Sequence, residues 1–176
     1  MFLCPDSVRI YAKEFQGHDG LGIAIFDHAT SMGEYAFDRC AIIRTLYCSL
    51  LTIIPKFGVS HCPYLRDIDF NNVVEIKDHA FTQSGLQECY FPSATTLGHC
   101  VFESCTNLNI AYLPKVTTMG DNVFKGCNQL KWLLFPNIIS DKERIRLGIP
   151  DTTHVVSDIS KIPKLPHPIL KKLFSR

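Results

Sequence analysis

The sequence predicts an α/β solenoid of about six 22-residue coils, with one strand per coil adding to a single parallel β-sheet. Three observations carry that prediction. Residues 95–116 read TTLGHCVFESCTNLNIAYLPKV and residues 117–138 read TTMGDNVFKGCNQLKWLLFPNI, two 22-residue blocks that match position by position. The same frame extends back to the start of the chain with a single one-residue slip. Each block also ends on a period-two apolar alternation, which puts its apolar residues on one face of a strand. A fixed period of about 20–29 residues with such spacing is the signature of stacked coils.

The columns justify each element of a coil. The coil opens on an aliphatic residue: Ile10, Met32, Ile54, Ile76, Leu97, Met119. An aromatic column follows at Phe15, Phe37, Phe81, Phe102 and Phe124, with Val59 in the third coil. Next come His18, Cys40, Cys62, Cys105 and Cys127; the fourth coil is ambiguous here, because its missing residue falls between Phe81 and Leu86. This stretch reads as the return path, a turn or a short helix. A column at Leu21, Ile43, Leu65, Leu86, Leu108 and Leu130 leads into the strand. The inward strand residues are Ala24, Leu46, Ile68, Cys89, Ala111, Leu133 and, two positions on, Phe26, Cys48, Phe70, Phe91, Leu113, Phe135. Pro92, Pro114 and Pro136, or a polar residue, end the strand, and Ala29, Leu51, Val73, Ala94, Val116 and Ile138 close the pattern. One coil buries only a handful of side chains at ~1.5–3 kcal/mol each. Ordering its backbone costs ~1–2 kcal/mol per residue. Stability must therefore come from stacking.

The ends differ from the middle. Phe2, Cys4 and Pro5 match the strand end Cys89, Phe91, Pro92, so the array of residues 1–139 starts mid-repeat. An exposed edge there would suit further repeats of the same chain or an edge-pairing partner. Residues 140–157 read as a closing unit: Ser140-x-x-Glu143 is a capping box, Gly148 and Pro150 stop the helix, and His154-Val155-Val156 is a candidate last strand. Residues 158–176 are a Pro-rich, basic tail with Pro163, Pro166 and Pro168.

The motifs Met32-Gly33…Ala36-Phe37…Cys40, Leu97-Gly98…Phe102…Cys105 and Met119-Gly120…Phe124…Cys127…Leu130 resemble the BspA-type, or Treponema-pallidum-type, leucine-rich repeats over residues 2–138. The resemblance implies a leucine-rich-repeat right-handed superhelix. It also implies a non-enzymatic interaction module, such as an adhesion or surface-recognition protein, with an intracellular scaffold as the rival reading. Pro55 and Val59 stand where the pattern has Gly and Phe, which marks the third coil as irregular.

Composition narrows the partners. The formal net charge of +1 gives no global basic field, so no nucleic-acid partner is expected. No apolar run reaches transmembrane length. Met1–Phe15 has neither a basic n-region nor a continuous apolar core, so no secretory signal is expected. A complete chain would then sit in the cytoplasm, and a fragment of a longer array would suit the cell surface. Of the eight cysteines, Cys40, Cys62, Cys105 and Cys127 hold one repeat column and Cys4, Cys48 and Cys89 fall on apolar strand positions, as small buried hydrophobes do, which suits a reducing compartment.

Outward strand positions are the candidate site. One column runs Leu3, Ile25, Tyr47, Asp69, Tyr90, Tyr112, Leu134 and its neighbour Ile23, Thr45, Asp67, Glu88, Ile110, Trp132. Exposed Tyr and Trp carry binding energy at interfaces. The expected partner surface is therefore Tyr47, Tyr90, Tyr112, Trp132 and Leu134 around an acidic centre of Asp67, Asp69 and Glu88, with a protein or peptide as ligand. The competing reading is that these aromatics are good strand formers packing across coils. His61-Cys62 and His99-Cys100 raise metal binding or a cysteine nucleophile, but a 22-residue spacing stacks donors in a row. No catalytic residue, metal ligand or cofactor is assigned.

Overall fold

A computed structural model of the chain describes residues 2–3, 8–137, 139–158 and 161. Cys4, Pro5, Ile138 and the tail prolines lie outside the described residues. The first half carries β1 (Phe2–Leu3), β2 (Arg9–Ile10), β3 (Ile23–Ile25), β4 (Ser31–Met32), β5 (Thr45–Tyr47), β6 (Ile53–Ile54) and β7 (Asp67–Asp69). The second carries β8 (Glu75–Ile76), β9 (Glu88–Tyr90), β10 (Thr96–Leu97), β11 (Ile110–Tyr112), β12 (Thr118–Met119), β13 (Trp132–Leu134), α1 (Asp141–Leu147) and β14 (His154–Val156). Pairing is parallel throughout, in the register that the columns set: Thr45 faces Asp67 and Ile110 faces Trp132. The result is the parallel-strand solenoid of the leucine-rich-repeat class.

The sheet is richer than a single ladder. The three-residue strands, with the two-residue β1 at one edge, form two four-stranded segments, β1-β3-β5-β7 and β9-β11-β13-β14. The division falls where the fourth coil is one residue short. There Gly85 is drawn in so far that a Cβ would lie 2.0 Å from the Pro63 carbonyl oxygen. A second ladder, of two-residue strands, runs along the aliphatic column as β2-β4 and β6-β8-β10-β12. Its division falls at Pro55. Gly33, Lys77, Gly98 and Gly120 each donate their N–H to the aliphatic residue one coil back. Proline has no N–H to give, so Met32 lacks that backbone donor and β4 does not pair with β6.

The return path forms a third hydrogen-bonded side. In each coil alternate N–H groups reach the next coil: Phe57, Val59 and His61 donate to Asp78, Ala80 and Thr82 at 2.8–3.2 Å. Two residues per return turn adopt positive φ, one column being Lys13, Tyr35, Phe57, His79, Cys100, Asn122 and the other Gly17, Arg39, His61, Gln83, Ser104, Gly126. Non-glycine residues hold this costly conformation because the ladder on both sides fixes it.

Inside, the aromatic column stacks. Phe15 and Phe37 lie 5.1 Å apart, Phe81 and Phe102 5.6 Å, and Phe102 and Phe124 5.7 Å, with near-parallel rings. The ambiguous site of the fourth coil is Ser84: it is buried, and its N–H donates to Phe81 as that of Cys40 does to Phe37. At the C-terminal end, Ser140 caps α1 by accepting from the Glu143 N–H, and Gly148 ends it in the left-handed conformation. Asn122 and Phe124 donate to Arg146 and Leu147, so α1 replaces the return turn of a closing coil whose strand is β14.

Candidate interaction surface

The outward face of the three-residue strands holds the expected site residues in register. Tyr47 and Asp67 meet directly, the phenol donating to Asp67 Oδ2. That hydrogen bond, and then burial, push the Tyr47 ionisation up to about 12. Asp69 accepts from Asn71 Nδ2 at 2.7 Å. Glu88 is half-buried beside a shallow polar depression of about 500 Å³ lined by Gln87, Asn107, Asn109 and Gln129. Tyr90 and Tyr112 are half-exposed and stack at 4.7 Å with an interplanar angle of 19°. Arg44, Arg66 and Lys131 are exposed along the same edge.

Two members of the set sit differently from an open contact surface. Trp132 packs its ring against His154 at 4.6 Å. Leu134 is only 4% exposed, flanked in register by Tyr112 and by Val156 of the added strand β14. It is thus covered on the outer face of the sheet, outside the cluster that Leu133 and Phe135 join inside. The closing coil supplies both partners, so these positions are interior to the sheet rather than its rim.

Sequence reasoning passed over two clusters on the return turns. Asp38 is buried and accepts from Ser60 Oγ at 2.7 Å and Gln16 Nε2 at 3.0 Å, with His61 Nδ1 2.9 Å away. Burial pushes its carboxyl up, but these hydrogen bonds outweigh burial and hold it below the ordinary aspartate value. Tyr35, Phe57 and His79 stack successively at 4.9 and 4.7 Å, all three from one positive-φ column. The 22-residue spacing of these columns was the available signal.

The described cysteines are free. Burial pushes the Cys48, Cys89 and Cys127 thiols well up, and that of Cys105 to about 11. Contact with Cys40, then burial, does the same to Cys62. A thiol nucleophile reacts as thiolate, so these buried groups are poor ones.

The BspA type leucine rich repeat region matches residues 8–131 in six copies. The chain belongs to this family. Two solved structures share the fold of the BspA-type array. The leucine rich repeat protein of T. pallidum is 22% identical, with a TM-score of 0.51 over 76% of this chain and 57% of its own. A leucine-rich repeat protein from Bacteroides ovatus ATCC 8483 is 21% identical, with a TM-score of 0.55 over 75% of this chain and 38% of its own. The chain thus spans less than two thirds of either. No curated protein matches it. Membership supports the coarse role of a protein-interaction module, in keeping with the extended concave surfaces that solenoids present.

Proposed function

We propose that the BspA-type array is a non-enzymatic module that binds a protein or peptide on the sheet face, with Tyr90 and Tyr112 as anchors and Asp67, Asp69 and Glu88 as an acidic element beside them. The observation that carries this reading is the Tyr90–Tyr112 stack, half-exposed on the paired strands β9 and β11, of which β9 also carries Glu88. Rigid stacked phenols offer contact area at little entropic cost. The acids favour a basic segment and repel a phosphate backbone. Trp132 and Tyr47, held by His154 and Asp67, shape the flanks. An adhesion role and an intracellular scaffold would use this same face.

The test selects binders from a random peptide display library against the purified array. Selected peptides should be enriched in Lys or Arg next to an apolar residue. Tyr90→Ser with Tyr112→Ser should weaken them at least about tenfold while the unfolding transition stays cooperative, the loss of about 1.4 kcal/mol typical of an interface anchor. Binders indifferent to both tyrosines and to Asp67→Asn, Asp69→Asn would place the surface elsewhere. Loss of folding in the double tyrosine variant would make the stack structural.

A further inference from the structure

We propose that His79, Cys100 and Glu103 form a zinc site on the return-turn face of the solenoid. A ring nitrogen of His79, the Cys100 sulfur and a Glu103 carboxylate oxygen all lie within 4.8 Å of one another. Zinc bonds of ~2.0–2.3 Å in a tetrahedron put neighbouring donors roughly 3.3–3.7 Å apart, so side-chain rotation of about 1 Å closes the set. The mixed nitrogen, sulfur and oxygen donors suit zinc and argue against calcium or magnesium, which take oxygen alone. Three protein donors leave a fourth position for water or an incoming ligand atom.

The fold explains how a repeat makes donors converge. His79 and Cys100 occupy the same positive-φ column in successive coils, both at φ 55°. Adjacent coils therefore bring them side by side. Glu103 lies three residues on in the tight turn, at the position Thr82 holds one coil back. Stacking plus this local return gives a triangle rather than a row. The backbone beneath is fixed: His79 donates to His99 at 2.9 Å, Cys100 to Asp121 at 2.9 Å, and Glu103 accepts from Gln83 at 2.8 Å.

The surroundings are organised around the three side chains. Phe57 stacks on the His79 ring at 4.7 Å and 5°, setting its plane. His79 Nδ1 lies 3.3 Å from the Thr82 hydroxyl, which donates to the Cys100 carbonyl at 2.8 Å, and 3.9 Å from Glu103 Oε2. The His79 and Glu103 side chains are 31% and 25% exposed, shielded but reachable. Lys125 Nζ, 3.8 Å from Glu103 Oε1, is the competing cation; its side chain is 63% exposed and can turn into water. The equivalent triads in the other described coils are Lys13-Tyr35-Asp38, Tyr35-Phe57-Ser60, Phe57-His79-Thr82 and Cys100-Asn122-Lys125. None offers three metal donors. Cys100 is also unlike the buried cysteine column, being half-exposed and in a column otherwise filled by Lys, Tyr, Phe, His and Asn.

The experiment titrates the reduced full chain with cobalt(II), followed by displacement with zinc(II). One equivalent should bind with a cobalt–thiolate charge-transfer band and the visible bands of a tetrahedral site, and zinc should remove both. Cys100→Ser should abolish the thiolate band. His79→Ala and Glu103→Gln should each weaken binding by at least the roughly 10–100-fold that loss of an outer-shell partner costs. Lys125→Ala, which frees Glu103, should tighten it severalfold, and this gain needs no disruptive substitution. Absence of the thiolate band in the unmodified chain overturns the proposal. So does a band that survives Cys100→Ser, since the metal would then sit on another thiol, or a cobalt affinity that His79→Ala leaves unchanged. If Cys100→Ser fails to fold, the opposite responses of His79→Ala and Lys125→Ala decide.

Discussion

Cys40, Cys62, Cys105 and Cys127 each put a thiol 3.0–3.1 Å from the carbonyl of the aromatic residue in the preceding coil. A valine of similar size would fill the space but donate nothing to that buried oxygen. In the short fourth coil Ser84 takes the place, its hydroxyl 3.3 Å from Cys105 Sγ. The same logic of one side chain completing another's hydrogen bonding governs Tyr47. Its ionisation, normally at 10.0, is pushed to about 12 because the phenol hydrogen is held by Asp67. The folded state thus keeps the neutral phenol where an unfolded tyrosine ionises. Since the folded value is the higher one, the contribution is complete below about 10 and is lost as pH rises through about 12. A phenolate absorbance titration of Asp67→Asn should move one tyrosine's amplitude back toward lower pH. Superimposable curves for the two proteins would mean the contact does not persist in solution.

At the scale of the coil, the glycine after the aliphatic column matters through close approach. A Cβ on Gly98 would stand 2.3 Å from Asp78 Oδ1 and 2.6 Å from the Asp78 nitrogen, and that carboxylate already accepts from the His99 N–H at 2.8 Å. Gly98→Ala should therefore destabilise by about 1–3 kcal/mol in urea unfolding. Gly22→Ala, where a Cβ meets nothing within 4 Å, should stay within about 0.5 kcal/mol. Equal effects at the two sites would show that the coils spread apart at no cost. The main strand of each coil and the apolar columns were legible in the sequence because spacing alone fixes which side chains turn inward, whereas the second ladder of two-residue strands at the aliphatic column was not expected. The Ser140 cap and Gly148 stop were legible because they are local chemistry. The third ladder was not, since all but two of its positive-φ positions, Gly17 and Gly126, carry side chains such as Lys, Tyr, Phe, His and Cys, held there by hydrogen bonds between coils. Tyr90 and Tyr112 could be paired from register. The burial of Leu134 depended on β14, and the convergence of His79, Cys100 and Glu103 on the shape of the return turn, neither of which periodicity reports.

For the molecule as a whole, each coil touches its neighbours and little else, so stability should follow nearest-neighbour terms. Phe102 and Phe15 hold the same column and the same chemistry. Phe102 is fully buried and sandwiched between Phe81 at 5.6 Å and Phe124 at 5.7 Å. Phe15 has its one column neighbour, Phe37, at 5.1 Å and retains 8% exposure. Phe102→Ala removes two inter-coil contacts and opens a cavity in mid-array, so it should cost about 3–5 kcal/mol. Phe15→Ala removes one such contact beside a coil that can fray locally, and should cost distinctly less. Urea unfolding followed by hydrogen exchange separates the cases. Phe102→Ala should lower protection on both sides of the lesion, in β8, β10 and β12, whereas Phe15→Ala should lower it only around β2 and β4. Equal losses spread over every coil would mean that the array unfolds as one indivisible unit, and nearest-neighbour stacking would then be the wrong description of what holds it together.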